Sequence, residues 1–433
     1  MKIIENLSKE KYEKFCKDNI NKTHFLKSYV WGEFKEKDHL KAHYIGYEND
    51  NKELVAVTLL LEKKLIMGYT YFYCPRGYII DYKDKELLKE FTNDLKKYAK
   101  EKKALFIKID PDVKLHHLDI EGNIIDSTDN NYDLITYLKL LGYKHQGFNK
   151  NFEKNQPRYT FRLKLKDNTI EEITKNFHPT TRKIINKGNP YNLTLIKNDP
   201  KTIDNFFETM LQTSERESIV NHSYEYYKRY YETLHKENMS DLYVVTVDVE
   251  KLKDTYHTKI MELENNIEKM SDEKYKDSEK NANKKQELIN QITKAKKELE
   301  TIEKVKEKEL TLSAILTAKY GNKVWTLHGG NNTLLRELNA NYFIYYEIIK
   351  DAKKENYEII DFFGTTGNPT KENPVYGIHL FKKRLGGEYT EFIGELDLII
   401  NKPLYYMYKI FIPIYYKIQK LKYWHDRKKI KQK

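Results

Sequence analysis

One order of elements occurs twice along the 433 residues, and it constrains the fold more than any other feature of the chain. In the first half, strand patterns at 42–47, 54–61 and 69–73 lead through YCPRGYIID into a helical pattern over 85–102. A strand, ALFIKID, then ends at Asp110 and Pro111. In the second half DLYVVTVDV, TLSAILTAKY and KVWTLHGG lead into the helical stretch TLLRELNANYFIYYEIIKDAKKEN and the strand YEIIDFFG. The helix-to-strand junctions match in style, KKYAKEKKALFIKID against IKDAKKENYEIIDFF. Apolar strands, one helix and a further strand specify a mixed α/β layer. Five elements recurring in order point to a duplicated unit, against the alternative of two unrelated segments that share generic patterning.

One difference between the copies is informative. The first copy joins its first two strands by the polar turn ENDNKE, whereas the second places residues 250–310 at that point. Gly and Pro are both absent from 201–320. Val249, Leu252, Tyr256, Leu263, Ile267 and Met270 step by three and four with one skipped turn, as do Leu288, Ile292, Ala295, Leu299 and Ile302. Between these runs lies the polar stretch SDEKYKDSEKNANKK. The spacing predicts an antiparallel helical coiled-coil arm projecting from a β-turn. Its fifteen Lys equal its fifteen Asp plus Glu. A clamp working by charge alone would be basic, so the arm is a shaped contact, a spacer or a dimer contact.

The stretch 324–395 carries the densest chemistry. After YEIIDFFG and the Gly/Pro loop TTGNPTKENPVYG comes IHLFKKRLGGEYTEFIGE. Ligands of α/β layers sit at the carboxyl ends of strands. Phe381, Lys382, Lys383 and Arg384, followed by Gly386 and Gly387, therefore read as a basic aromatic loop suited to an anionic group. The stretch FLKSYVWGEFKEK near the start reads as a Trp-centred turn.

Several function classes are excluded. The formal net charge is +12, but residues 402–433 hold nine Lys, one Arg and one Asp and so account for +9 of it. A whole-domain nucleic-acid surface is not what the charge describes. The aromatic-rich segment before the basic end is broken by Lys409 and Pro413 and too short to span a bilayer. It suits either the interface of an anionic membrane or a helix packed on the body. Cys16 and Cys74 give no disulfide framework or zinc spacing, and the N-terminus shows no export signal. His116 and His117 sit on a loop without a third ligand, so no metal is expected. Neither YCPRGYIID nor LHGGNNTLL has the glycine spacing of a pyrophosphate loop, which disfavours a coenzyme A donor.

Taken together, WGEFK, YCPRG, FIKIDP, IIDFFG and FKKRLGGEYTEFIGE, in that order and with the arm in the second unit, resemble the Fem-type peptidoglycan-bridge aminoacyltransferases (FemA/FemB/FemX/MurM-like) over essentially the whole chain. The resemblance implies two tandem GNAT-like acyltransferase units, 1–153 and 154–249 with 311–400. The arm would occupy 250–310 and the basic aromatic tail 401–433. It implies transfer of an amino acid from aminoacyl-tRNA to the stem-peptide amine of lipid II or UDP-MurNAc-pentapeptide. No cofactor or metal takes part, and the site of action is the inner face of the cytoplasmic membrane. A homodimer or a related Fem-type transferase is the expected protein partner. Alternatives are a tRNA-binding or membrane-scaffold protein and an acyl-CoA-dependent N-acyltransferase.

Residue by residue, Lys35 matches a family lysine on the precursor diphosphate, and Tyr226 matches a tyrosine preceded in the family by an arginine. Here that arginine position is His222, which grips a diphosphate less well, with Arg229 or Arg216 as substitutes. Lys382 matches the lysine beside the reacting ester, where a cation stabilises the oxyanion. Lys383 is a solvated neighbour in the same basic stretch. Asp110 is either a general base or the turn former before Pro111, and Asp361 occupies the mirrored strand end. Arg76 lines the acceptor channel or caps a strand. His222 and Tyr226 equally suit one face of an amphipathic helix.

Overall fold

The structure is a computed structural model. It describes the chain except residues 153–154, 218–219, 271–278, 413–414, 416–417 and 419–433. The first half runs β1 (Lys2–Ile4), α1 (Lys9–Asp18), α2 (Tyr29–Glu36), β2 (Lys41–Glu48), β3 (Leu54–Lys64), β4 (Thr70–Cys74), α3 (Lys85–Glu101), β5 (Ala104–Ile109), β6 (Lys114–His117), α4 (Tyr132–Leu140) and β7 (Tyr143–His145). There follow β8 (Tyr159–Lys164), α5 (Ile170–Lys175), α6 (Pro179–Asn186), β9 (Thr194–Lys197), α7 (Ile203–Glu217), α8 (Tyr224–Lys236) and β10 (Leu242–Asp248). The chain continues through α9 (Val249–Lys269), α10 (Glu279–Glu303), β11 (Glu309–Tyr320), β12 (Lys323–Asn331) and α11 (Ala340–Lys354). It closes with β13 (Ile359–Thr365), α12 (Tyr376–Arg384), β14 (Glu388–Phe392) and β15 (Leu396–Ile399).

Two sheets form, ordered β1-β2-β3-β4-β5-β15-β7 and β6-β14-β8-β13-β12-β11-β10-β9. Each contains an antiparallel run of four strands, β1 to β4 and β9 to β12, followed by one parallel pair, β4 with β5 and β12 with β13. A helix crosses over in each case, α3 or α11, as a parallel connection requires. The repeated order of the sequence is thus a repeated topology. Its boundaries are less simple than 1–153 and 311–400. Strand β15, from the end of the chain, completes the first sheet between β5 and β7, while β6 from the first half sits at an edge of the second sheet. Backbone pairing over such sequence separations follows from edge complementarity, which local periodicity does not record.

A core shared by both halves joins the sheets. Phe25, Trp31, Phe34 and Tyr44 pack in one cluster with Phe206, Tyr227, Tyr230 and Trp325. The segment around Trp31, expected as a turn, is the helix α2. Ser28 caps it by accepting the Trp31 N–H at 3.0 Å, and Gly32 sits beneath the ring of Tyr44, which leaves no room for a Cβ.

Between β10 and β11, where β2 and β3 have a turn, stand α9 and α10. Asp248 ends the strand and caps α9, accepting the N–H groups of Glu250 and Lys251 at 3.1 Å each. Val249, Leu252, Tyr256, Ala295, Leu299 and Ile302 are buried together, and Lys296 pairs with Glu264 at 2.8 Å farther out. Leu263, Ile267, Met270, Leu288 and Ile292 are only half-buried. Most of the polar stretch between the two helices lies outside the described residues.

Two expectations near the C-terminal strands are corrected. The helix after KVWTLHGG begins only at Ala340. Asn332 accepts the Leu334 N–H at 2.9 Å, and Asn339 holds a left-handed conformation (φ 56°), so 332–339 turns before the helix starts. Gly330 belongs to β12, where a Cβ would lie 2.5 Å from the Thr209 backbone, so this glycine admits helix α7. The stretch Phe381–Arg384 is the last part of helix α12 rather than a loop.

Candidate active site

Helix placement separates Lys382 from Lys383. Lys382 is 8% exposed. Its Nζ donates to the carbonyls of Phe363 at 3.1 Å and Gly364 at 2.6 Å. Those carbonyls are turned toward it by an irregularity in β13 between Asp361 and Gly364, where Phe363 takes φ 57°. A bulky residue at positive φ is strained and is held only by its surroundings. Burial pulls the Lys382 ammonium down to about 7, opposed by the charge of Asp361. Lys382 and Phe381 line a cleft of about 640 Å³ with Arg216, Asn331, Tyr342 and Tyr345. Lys383, expected to be solvated, pairs with Glu121 at 2.5 Å and lines a separate cleft with His178, Arg384 and Glu388.

Asp361 is buried and fully engaged. It accepts from Arg162 Nε at 2.8 Å, from the Phe363 N–H at 2.8 Å and from the Thr160 hydroxyl. Arg162 reaches on to Asp112 at 2.7 Å. Arg162 holds the Asp112 carboxyl well below the usual carboxylate range despite burial, helped by Lys323, His24 and Arg76. Lys323 itself is lowered to about 8 by burial, with Asp112 opposing, and donates to the carbonyls of Asn21 and Thr23 at 3.2 Å each. This belt of Asp112, Arg162, Asp361 and Lys323 links both halves.

Asp110 ends β5 in a different setting. It accepts the Tyr73 hydroxyl at 2.8 Å and the Arg76 N–H at 2.5 Å. Burial pushes its carboxyl up to about 7, against the Arg76 guanidinium and with the help of Glu395. It lines a crevice of about 10 Å³ with Arg76, Gln156, Arg158, Phe392 and Glu395. Arg76 stands at φ 57° and donates to the Pro157 carbonyl at 3.2 Å. The guanidinium groups of Arg76 and Arg162 both lie on the Phe392 ring, 4.7 and 4.8 Å from its centre.

A third group forms where α2 meets α8. Lys35 pairs with Asp38 at 2.8 Å and donates to the Tyr226 hydroxyl at 3.3 Å, with Trp31, Phe34 and Tyr226 rings about its ammonium. Burial lowers its pKa, and Asp38 opposes. Arg229 also pairs with Asp38, whereas Arg216 lies apart, beside Glu217 and the Asn331 carbonyl. His222 stacks on Tyr226 with ring centres 3.9 Å apart, and burial, aided by Lys35, brings it to about 4. It is therefore a neutral ring at neutral pH. His116 and His117 lie in β6 rather than a loop, pairing with Glu391 at 2.9 Å and Asp129 at 3.3 Å.

Sequence reading missed Asp112, Arg162, Lys323 and Arg158. The signal was present for Arg162, a charged residue inside the strand TFRLK between buried Phe161 and Leu163. A charge flanked by inward-facing apolar residues on a central strand asks for a buried partner.

The FemAB family profile matches residues 7–412 of the chain. Lipid II:glycine glycyltransferase of Staphylococcus aureus (strain USA300) is 30% identical over 409 residues, covering 92% of this chain and 93% of that protein. The protein of the same name from strain N315 has the same identity and coverage. The crystal structure of FemX superposes with a TM-score of 0.72 at 29% identity, covering 94% of this chain and 99% of that one.

Proposed function

The chain belongs to the FemAB family, and we propose that it transfers an amino acid from aminoacyl-tRNA to the stem-peptide amine of a peptidoglycan precursor, building the interpeptide bridge. It is an aminoacyltransferase. The precursor is lipid II or UDP-MurNAc-pentapeptide; lipid II is named in the staphylococcal relatives. The reading includes two GNAT-like units, a coiled-coil arm made by α9 and α10, and a site of action at the inner membrane face.

The observation that carries the mechanism is the setting of Lys382, a buried lysine at the wall of an open cleft with its Nζ fixed on two carbonyls. The acceptor amine attacks the ester carbonyl carbon, a C–N bond forms, and the bond to the ribose oxygen breaks. Negative charge develops on the carbonyl oxygen, and a fixed ammonium in a dry wall stabilises that charge far more than one in water. The acceptor nitrogen passes from ammonium to amide and so loses two protons: one leaves before the attack, and the second passes to the departing ribose oxygen, which becomes a hydroxyl. Asp110, with a carboxyl raised to about 7, has the proton affinity of a group that accepts and returns a proton near neutrality. Lys35 and Tyr226, with Arg229 close by through Asp38, bind the acceptor phosphates, and neutral His222 contributes a stacked ring. Arg76, Asp361 and Lys383 shape the surroundings. No cofactor or metal enters the step.

Radiolabelled amino acid on charged tRNA, offered with UDP-linked and lipid-linked muramyl-pentapeptide, tests the proposal. Label appearing on either acceptor is the expected result. Label on neither, with tRNA binding intact, overturns it in favour of a scaffold, and transfer from acyl-coenzyme A alone would point to the other alternative.

A further inference from the structure

Residues 402–412 are helical, and they are apolar on two faces. The inward face docks on the first sheet. Tyr405 is fully buried, donates to Asp397 Oδ2 at 2.9 Å and packs edge-on against Phe106. Tyr408 lies 5.5 Å from the Tyr71 ring and 5.2 Å from Phe106, and Lys409 pairs with Asp397 at 2.9 Å. The outward face carries Met407, Ile410 and Phe411, which are 53%, 63% and 62% exposed. An amphipathic helix needs only one apolar face to dock, so the second has another use.

The turn between β3 and β4 packs against the same helix. Leu65 and Tyr69, which flank it, pack in the cluster that holds Tyr405. At its tip stand Ile66 and Met67, 84% and 86% exposed. The turn is closed by Leu65 N–H to the Tyr69 carbonyl at 2.7 Å and Tyr69 N–H to the Ile66 carbonyl at 3.3 Å, and Met67 takes φ 57°. Two large apolar side chains are thus presented on a fixed tip beside a second exposed apolar face. Exposed apolar surface of this kind marks a contact with protein or membrane.

Charge decides between those occupants. Exposed Lys63 and Lys64 precede the tip and exposed Lys402 opens the helix. The chain after Tyr415 adds seven Lys and one Arg against one Asp. A second copy would bring the same positive charge to the contact, whereas an anionic lipid surface complements it. We propose that Ile66 and Met67, with Met407, Ile410 and Phe411, form a face that enters the headgroup boundary of an anionic bilayer. The inference deepens the reading of a membrane-borne acceptor and rests on it for its purpose.

The full chain is sedimented with vesicles of phosphatidylglycerol and phosphatidylcholine, and with phosphatidylcholine alone, in the absence of any precursor. Wild type partitions onto the anionic vesicles, and Ile66→Ser with Met67→Ser weakens that partition about tenfold or more at unchanged melting temperature. Met407→Ser with Phe411→Ser gives a similar loss. Met261→Ser, a 63% exposed apolar site on α9, leaves binding unchanged. Anionic-vesicle binding by the turn variant equal to wild type overturns the proposal, as does absence of binding by wild type. A wild-type dimer that the turn variant dissociates, with vesicle binding unaltered, assigns the face to a second copy instead. Transfer to the water-soluble UDP-linked acceptor is retained in the turn variant. Failure of the membrane face is thereby distinguished from failure of the transferase reading.

Discussion

Asp110 and Asp361 occupy matching places in the repeat and have opposite surroundings. Asp110 directly follows β5, whereas Asp361, expected at the mirrored strand end, lies inside β13 as the last residue paired with β12, and each has a strained left-handed neighbour, Arg76 or Phe363. In the second sheet the residue opposite Asp361 is Arg162. In the first, Leu396 faces Ile109, so one step further along the register Glu395 comes opposite Asp110. The Arg162 guanidinium ties Asp361 into a buried network. At the matching place Asp110 faces Glu395 instead, and burial above all, with Glu395 adding to it against Arg76, raises its carboxyl to about 7. The repeated topology supplies two similar backbones, and the strands beside them, β8 and β15, give them different chemistry.

The largest effect should come from breaking the paired side. Asp361→Asn leaves Arg162 with half its partners, and a buried ion pair that loses one member costs about 3–5 kcal/mol. Urea denaturation of Asp361→Asn should show a loss of that order, and Asp110→Asn a much smaller one. The reverse ranking would break the comparison.

Lys382 draws on the second sheet's strand end, so its removal should strike turnover rather than folding. Lys382→Ala should lower kcat by about 10²-fold or more, as for one oxyanion-stabilising group. Because its pKa is about 7, the ammonium is present below that pH and lost above it. Asp110 titrates in the same range with the opposite sign, so the test is made in Asp110→Asn, whose remaining kcat should decline as pH rises through about 7. A residual kcat that climbs there instead would assign Lys382 as a base.

The first strand end predicts a pH signature. Asp110 keeps its proton in the folded state up to about 7, while in the unfolded chain it ionises in the ordinary carboxylate range. Its contribution to stability is therefore complete below that range and is lost as pH rises through about 7. Asp110→Asn should flatten this part of the stability profile, and Glu395→Gln should move its midpoint to lower pH. Denaturation midpoints measured between pH 4 and 8 decide it, and an unchanged slope in Asp110→Asn removes the distinction between the two ends.

The smallest effect belongs to Lys383→Ala. Its side chain, 24% exposed, pairs with Glu121, itself 62% exposed, and such pairs contribute roughly 0–1 kcal/mol. A several-fold change in KM at most should be seen, against the kcat loss at Lys382.

Much of this is legible in the sequence alone. Alternating apolar residues placed β2, β3, β4 and β5 within a few residues, and steps of three and four marked the buried stripe of α9 and α10. Lys382 stood out as a cation near a strand end that suits an anion. The misreadings have local causes. The stretch around Lys382 looked like a loop because the Gly/Pro segment before it and Gly386 and Gly387 after it frame a helix of only nine residues. Whether His222 carries charge was not legible, because its sequence neighbours do not reveal the burial against Tyr226 and His328 that keeps it neutral.

The sequence by itself determined the elements, their repeated order and the place of the helical insertion, because hydrophobic period and turn chemistry act over a few residues. Only the tertiary structure decided that β15 returns to the first sheet, that Arg162 binds both Asp112 and Asp361, and that Asp110 lies where Glu395 rather than an arginine faces it. Those outcomes join residues far apart in the chain and depend on burial, which sets both the cost of a charge and the strength of its pairing.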